Sequence, residues 1–206
     1  MAAKRTIVLF VSVVFVLPFT AWALVNFYER RIEKLPVFGK TKEHHIEDFS
    51  LINQDGLTRT QNDWTAKIVV ANFFFTHCPV ICPKMTGNLK KVSKTFEKDK
   101  SIFISSFSID PERDNVKQLK KYADKSKIET DNWDLLTGSK NDIYKLARNS
   151  FMIVATDGDG GPDDFIHSER LVLIDTQKRI RGYYNGTSDK ETKQLISDIK
   201  TLKDDE

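Results

Sequence analysis

The chain has 206 residues, of which 40% are hydrophobic, enough for one globular domain with a core and an appended segment. Its formal net charge of +3 arises in residues 1–34, which carry five basic and two acidic side chains, whereas residues 35–206 carry 27 of each. Because the neutral globular part has no basic excess to neutralise phosphates, nucleic-acid binding is not expected.

The first predicted element is an uncharged and mostly apolar segment at residues 6–27. As a helix it would extend roughly 33 Å, which is enough to cross a bilayer. Lys4 and Arg5 precede it and favour a cytoplasmic N-terminus with the following domain outside the cytoplasm. Residues 1–28 are therefore predicted as a single-pass membrane anchor. No Arg- and Ser-rich leader precedes the apolar run, which favours the bacterial cytoplasmic membrane, with the domain on its periplasmic side.

A cleaved signal peptide is the alternative for the same segment. Ala21-Trp22-Ala23 is similar to a cleavage site, and Pro18 could break the apolar helix. The apolar run continues past this site through Leu24 and Val25, which favours an uncleaved anchor. Both interpretations export the domain.

Residues 29–45 are charged and contain Pro36 and Gly39, so they are predicted as a tether to a domain at residues 46–206. The domain begins with a hairpin around Asn53-Gln54-Asp55-Gly56. Its predicted strands cover residues 46–52, 57–60, 67–75, 102–109, 170–175 and 179–184. The third of these is almost continuously apolar, as in a central strand that is buried on both faces.

Four helices are predicted between and after these strands. They are a helix at residues 84–96, one opened by Asp110-Pro111, one capped by Ser139 and a last one opened by the capping box Ser188-Asp189-Lys190-Glu191. This order of strands and helices predicts an α/β fold with a mixed sheet covered by helices.

The chain contains only two cysteines, in Cys78-Pro79-Val80-Ile81-Cys82-Pro83, directly between the predicted central strand and a helix. Pro83 lacks an N–H and suits a first helical turn, so Cys82 is predicted at a helix N-terminus, where the dipole favours a thiolate. A thiolate both attacks disulfides and binds soft metals. One residue more separates these thiols than in a thioredoxin-type Cys-x-x-Cys, which leaves more room for a cation.

Two other interpretations of the pair stay open. A structural disulfide would close a very small loop and add little stability, because disulfide stabilisation grows with loop length in the usual model. A redox dithiol would instead exchange electrons with a partner disulfide. His77 adjoins Cys78 and is expected either to lower the pKa of that thiol or to be exposed.

His167 follows a glycine- and aspartate-rich segment and comes directly before a predicted strand. By itself, such a histidine is more often a hydrogen-bonded structural residue. Combined with a dithiol in this order of elements, it becomes a candidate third metal ligand. Two thiolates and an imidazole suit copper, including the reduced ion, and would also suit zinc, although structural zinc sites normally have four protein ligands.

Three pieces of the sequence together resemble the Sco/SenC family of copper-binding proteins with a thioredoxin fold. They are Phe75-Thr76-His77-Cys78-Pro79-Val80-Ile81-Cys82-Pro83, Ser108-Ile109-Asp110-Pro111-Glu112-Arg113-Asp114, and Phe165-Ile166-His167-Ser168 leading into Leu173-Ile174-Asp175. Their order and spacing are similar to the family across about residues 45–202. The resemblance implies a thioredoxin-like mixed sheet flanked by helices and preceded by one N-terminal transmembrane helix.

The same resemblance implies a function. Cys78, Cys82 and His167 would bind copper, as copper(I) or copper(II), and the protein would help load the dinuclear copper centre of cytochrome c oxidase subunit II. The alternative is a membrane-anchored thiol–disulfide oxidoreductase that uses Cys78 and Cys82 to reduce the cysteines of that subunit. Many members have an Asp between the cysteines where this chain has Val80, so a negative charge beside the site is missing here.

Overall fold

The computed structural model describes residues 12–32, 35–41, 43–129, 131–153 and 168–205. The chain divides after residue 34 into two compact units. In the first unit, a π-helical turn at Ser12–Val16 leads into helix α1, Leu17–Ile32. Pro18 stands where the two meet, as expected for a residue that cannot continue the hydrogen-bond pattern of a preceding helix. Within these described ranges, no helix is both long and apolar enough to cross a membrane.

The second unit contains a mixed sheet. Its strands are β1 (Ser50–Asn53), β2 (Thr58–Thr60), β3 (Ile68–Phe74), β4 (Ile102–Ser108), β5 (Trp133–Thr137), β6 (Arg170–Ile174) and β7 (Ile180–Asn185). They lie side by side in the order β2-β1-β5-β4-β3-β6-β7. β4 is parallel to both β3 and β5, and the remaining pairs are antiparallel. The predicted hairpin, the central strand and the last pair of strands are confirmed.

Helices cover both faces of the sheet. They are α2 (Ile81–Thr95), α3 (Val116–Ser126), α4 (Lys140–Lys145) and α5 (Asp189–Asp205). Residues of β3 alternate between two cores: Val70 and Phe74 pack with α2, α3 and α5, whereas Val69 and Phe73 pack with α4 and the chain before β3. Cys82 belongs to the first of these cores.

Residues 35–41 belong to the second unit, although the sequence assigns them to the tether. Phe38 forms a β-bridge with Ile180 and an edge-to-face ring contact with Tyr183 on the outer strand β7. The buried Arg181 guanidinium donates to the carbonyl oxygens of Leu35 and Pro36 at 2.6 and 3.1 Å. These contacts fasten the start of the domain to an edge strand that would otherwise expose unpaired backbone groups.

The start of α3 differs from the sequence prediction. Asp110 does not cap this helix; the cap is Asn115, whose side chain accepts the Gln118 N–H at 3.0 Å. The Asp110 carbonyl instead accepts the N–H groups of Arg113 and Asp114, which forms a turn before the helix. This turn directs the Asp114 side chain into the protein interior, where it is fully buried.

The capping box predicted for α5 forms in part. Ser188 Oγ accepts the Glu191 N–H at 3.3 Å, but the Glu191 carboxylate accepts the N–H of Asn185 instead of that of Ser188. The carboxylate thereby ties the end of β7 to the beginning of α5.

Candidate metal centre

The sheet brings three loops to one edge. Phe74 at the end of β3 pairs with Ser108 at the end of β4, and because these strands are parallel, the chain that follows each of them leaves from the same edge. β6 runs antiparallel to β3, with Leu171 opposite Asn72, so the residues that enter β6 reach this edge as well. The cysteine motif follows β3 at this position.

Both cysteines lie at the beginning of α2. Cys82 is the second residue of the helix and is only 5% exposed, whereas Cys78 lies in the preceding loop and is partly exposed. The Cys82 N–H donates to Cys78 Sγ at 3.3 Å, and the Cys78 N–H donates to the Phe75 carbonyl at 3.3 Å. Both are free thiols. The predicted position of Cys82 at a helix N-terminus is confirmed.

The two thiols differ in acidity. Partial burial raises the pKa of Cys78, but hydrogen bonds to its sulfur from the N–H and thiol of Cys82 and from the N–H groups of Val80 and Ile81 together lower that pKa below its ordinary value. Burial raises the pKa of Cys82 to about 12, and the nearby Cys78 and Asp114 charges act in the same direction. Cys78 is therefore the thiol that ionises first.

This distribution corrects one sequence expectation. Cys82 at the helix N-terminus was expected to be the favoured thiolate, yet its burial outweighs the helix dipole, and the N–H groups of the first turn reach Cys78. His77 does not account for the lowered pKa of Cys78, since the hydrogen bonds above do. The side chain of His77 is 55% exposed.

A cavity of about 140 Å³ lies between the cysteines and the neighbouring loops. Its lining is mainly apolar and includes both sulfur-bearing residues: Phe73, Phe74, Phe75, Cys78, Ile81, Cys82, Ile109, Ser168 and Glu169. An apolar wall with two thiols suits a soft, weakly hydrated ion better than a hard cation, which prefers oxygen ligands.

His167, the predicted third ligand, lies outside the described residues. In the ranges that the structure does describe, no three His, Cys, Asp or Glu side chains come together in a way that could hold a metal ion. The described site therefore offers two sulfur donors beside Ser168, the residue that follows His167 in the chain.

Beneath the cysteine loop is a buried polar network that was not predicted from the sequence. The Asp114 carboxylate accepts the Thr76 hydroxyl at 2.5 Å, the Thr76 N–H at 3.0 Å and the Ser108 hydroxyl at 2.6 Å. Gln118 donates to Thr76 Oγ1 at 2.9 Å, and His77 Nδ1 lies 3.1 Å from the same oxygen. In the sequence, Ser108 and Asp114 belong to the second of the three pieces that resemble the Sco/SenC family, but that piece predicted only a helix start at Asp110-Pro111.

Comparisons with known proteins assign the family. The SCO1/SenC family model matches residues 39–204. A "SCO1 protein homolog" from Bacillus subtilis is 34% identical over 160 residues, covering 77% of this chain and 82% of that protein. The chain belongs to the SCO1/SenC family.

Solved structures of SCO1/SenC relatives have the same fold. BsSco, described as a member of the Sco family of cytochrome c oxidase assembly proteins, is 33% identical with a TM-score of 0.67, covering 80% of this chain and 96% of that one. Copper-bound ScoI from Arabidopsis thaliana is 26% identical with a TM-score of 0.59, covering 75% and 97%. The thioredoxin-like mixed sheet flanked by helices, which the resemblance implied, is confirmed.

One position of this SCO1/SenC domain departs from the pattern expected for the family. Val80, between the cysteines, is 57% exposed and occupies the cap position of α2, where its side chain makes no capping hydrogen bond. Cys78 Sγ accepts the N–H of Cys82 instead. The sulfur thus takes the place of the polar side chain that usually satisfies the first free N–H groups of a helix.

Proposed function

We propose that this protein binds copper through Cys78, Cys82 and His167 and delivers it to the dinuclear copper centre of cytochrome c oxidase subunit II. Copper is then the cargo of the protein. The observation that carries the proposal is the pair of adjacent free thiols, one of them acidified, at the wall of a small apolar cavity in a chain of the SCO1/SenC family. The copper-bound relative and the oxidase-assembly relative point in the same direction.

The choice of His167 as a ligand in this proposal rests on the described residues that follow it in the chain. β6 enters the sheet beside the end of β3, and Ser168 and Glu169, which precede β6, line the same cavity as the cysteines. One peptide unit separates neighbouring Cα atoms by about 3.8 Å. His167 directly precedes Ser168 in the chain, and this adjacency supports the choice of its imidazole as the third donor.

The contribution of each ligand to the affinity depends on the oxidation state of the copper ion. Copper(I) favours few, soft ligands, so the two thiolates supply most of its affinity, and the imidazole completes a three-coordinate site. Copper(II) is harder and needs nitrogen donors more, so its binding depends more on His167. Metal binding must also displace the proton that Cys82 retains, so the affinity for copper rises with pH.

The test is copper transfer to the isolated copper domain of oxidase subunit II. The full-length chain in detergent, loaded with copper(I), is mixed with the reduced, metal-free domain; we expect copper to move and the thiol count to stay constant. His167→Ala should lose most of this transfer, whereas His45→Ala, which changes an exposed histidine outside the site, should retain it.

Thiol–disulfide exchange in place of copper transfer would instead indicate that the protein is a thiol–disulfide oxidoreductase. In that case the oxidised partner domain gains two thiols for each disulfide that forms between Cys78 and Cys82, and His167→Ala leaves the exchange intact. Rapid exchange of this kind without any copper transfer would overturn the proposal.

We also propose that the apolar segment at residues 6–27 anchors the chain in the bacterial cytoplasmic membrane, with the domain on the periplasmic side. The supporting observation is the uncharged, apolar composition of the segment behind Lys4 and Arg5. Every described residue from Val13 to Val25 is exposed to its surroundings, including the large side chains Phe15, Phe19 and Trp22. Apolar side chains arranged in this way suit a lipid environment.

A further inference from the structure

The buried carboxylate of Asp114 has no role in the proposed ligand set. Its side chain is fully buried, and a charge in the interior is unfavourable unless hydrogen bonds compensate it. Ser108 provides one such bond from within the segment that carries Asp114, but Thr76 provides two, from its hydroxyl and its N–H, across to the cysteine loop. Asp114 therefore connects the loop after β4 to the loop after β3.

The connection reaches Cys78 through a short chain of hydrogen bonds. Thr76 is held on both its backbone and its side chain, two residues before Cys78. The Cys78 N–H then closes a turn onto the Phe75 carbonyl, and Cys78 Sγ accepts the Cys82 N–H. Gln118 on α3 donates to the same Thr76 hydroxyl oxygen and orients it.

We propose that Asp114 is a positioning residue, which fixes Cys78 opposite Cys82 by holding Thr76. The inference rests on the proposed function, because the benefit of a fixed Cys78 is realised when both sulfurs bind one ion. A loop that is already ordered loses no backbone freedom on binding, whereas ordering a single mobile residue costs roughly a tenfold factor in affinity. Asp114 does not itself contact the ion.

The test compares two buried aspartates that differ in what they hold. Asp114→Asn keeps the size of the side chain but removes its charge and one acceptor oxygen. The matched control is Asp134→Asn on β5, since Asp134 is also buried and accepts from Asn53 and Arg59, away from the cysteines. Amide hydrogen exchange is measured on the reduced, metal-free protein, and copper(I) affinity is measured by competition with a chelator.

For Asp114→Asn, we expect exchange at the Cys78 and Cys82 amides to rise about tenfold or more, while the amides of β3 keep their protection. Neither of these two amides donates to Asp114, so their response reports the position of the loop. Copper(I) affinity should fall by about tenfold. Asp134→Asn should raise exchange only as far as it lowers global stability. Equal and uniform effects of both substitutions, or wild-type exchange at Cys78 and Cys82 in Asp114→Asn, would overturn the proposal.

If Asp114→Asn fails to fold, a second pair of variants, at Thr76, tests the same connection. Thr76→Ser keeps the hydroxyl and should retain the wild-type exchange and affinity, whereas Thr76→Val removes it and should reproduce the Asp114→Asn effect. Identical behaviour of Ser and Val at this position would contradict the proposed connection. Because the exchange measurement involves no metal, a wild-type protein that binds no copper would refute the proposed function without affecting this test.

Discussion

Burial makes the two thiols of this SCO1/SenC domain differ in acidity. Cys82 lies in the core and retains its proton, with a pKa raised to about 12, whereas Cys78 is partly exposed and surrounded by N–H groups that lower its pKa. The exposed thiolate can meet an incoming ion or partner first. In the proposed copper site, the buried thiol would lose its proton when the second sulfur–metal bond forms.

The first prediction concerns this difference in reactivity. With iodoacetamide near pH 8, Cys78 should be alkylated at least about a hundredfold faster than Cys82, because only the thiolate reacts and Cys82 is both protonated and buried. Mass spectrometry of peptides from the metal-free, reduced wild-type protein gives both rates. Raising the pH should accelerate Cys82 long after Cys78 has reached its plateau. Equal rates at pH 8 would show that the two environments are alike.

At this scale, the sequence predicted where the two cysteines lie but not how they differ in acidity. The cysteine pair follows from its spacing and from Pro83. The acidity of each thiol depends on burial by distant parts of the chain, and local spacing does not contain that information. The contact between Asp114 and Thr76 was not predicted for the same reason, because the two residues lie 38 positions apart in the sequence.

At the beginning of α2, free N–H groups of the helix are satisfied by the sulfur of Cys78. Helix N-termini present free N–H groups that a polar side chain usually satisfies. Here the cap residue Val80 contributes no such side chain, and Cys78 Sγ accepts the Cys82 N–H. The helix therefore stabilises the Cys78 thiolate because nothing at its cap position competes for those N–H groups.

The second prediction is that an acidic side chain at position 80 competes with Cys78 Sγ for the N–H groups at the start of α2. Val80→Asp should stabilise α2 by about 1 kcal/mol through capping, measured as the free energy of unfolding in urea. It should also raise the pKa of Cys78 and slow its alkylation, because the carboxylate takes N–H groups from the sulfur and adds a negative charge beside it. Val80→Asn is the matched control, with capping but no charge, and should slow the reaction less. Unchanged Cys78 reactivity in Val80→Asp would contradict this account of the cap.

Among the elements, β5 was not predicted from the sequence. This short strand contains Asp134, a residue type that is rare in strands, yet here Asp134 is buried and pairs with Asn53 and Arg59 of the first hairpin. The predicted start of α3 was wrong, because Asp110-Pro111 fits a helix start locally, whereas the contacts of Asp114 require a turn before the helix. In both cases a contact distant in sequence outweighs the local preference. Strands with continuous apolar runs, such as β3, were predicted correctly.

At the scale of the whole molecule, the charge distribution separates the N-terminal segment from the domain. The basic excess lies within residues 1–34, and the remaining 172 residues are neutral overall. The domain has its own two cores, one on each face of the sheet, and its first residues are fastened to β7 through Arg181 and Phe38. This arrangement is compatible with the proposed anchor, in which a folded domain follows a membrane segment.

The third prediction addresses the anchor. Protein purified from the membrane fraction should retain residues 6–27, because the apolar run extends beyond Ala21-Trp22-Ala23. Intact-mass and N-terminal sequence measurements determine this directly. A mature chain that begins at Leu24 would refute the anchor and establish cleavage, while leaving export of the domain unchanged.

The fourth prediction concerns the metal itself, and X-ray absorption of the copper-loaded protein tests it most directly. The full-length chain, titrated with copper(I) to its stoichiometric endpoint, should bind one ion with two sulfur neighbours and one nitrogen neighbour. His167→Ala should keep the two sulfur neighbours and lose the nitrogen neighbour. Its affinity for copper(II) should fall more than its affinity for copper(I). Cys78→Ser/Cys82→Ser should bind neither ion stoichiometrically. A first shell without sulfur, or unaltered copper binding after both cysteines are replaced, would contradict the metal site proposed here.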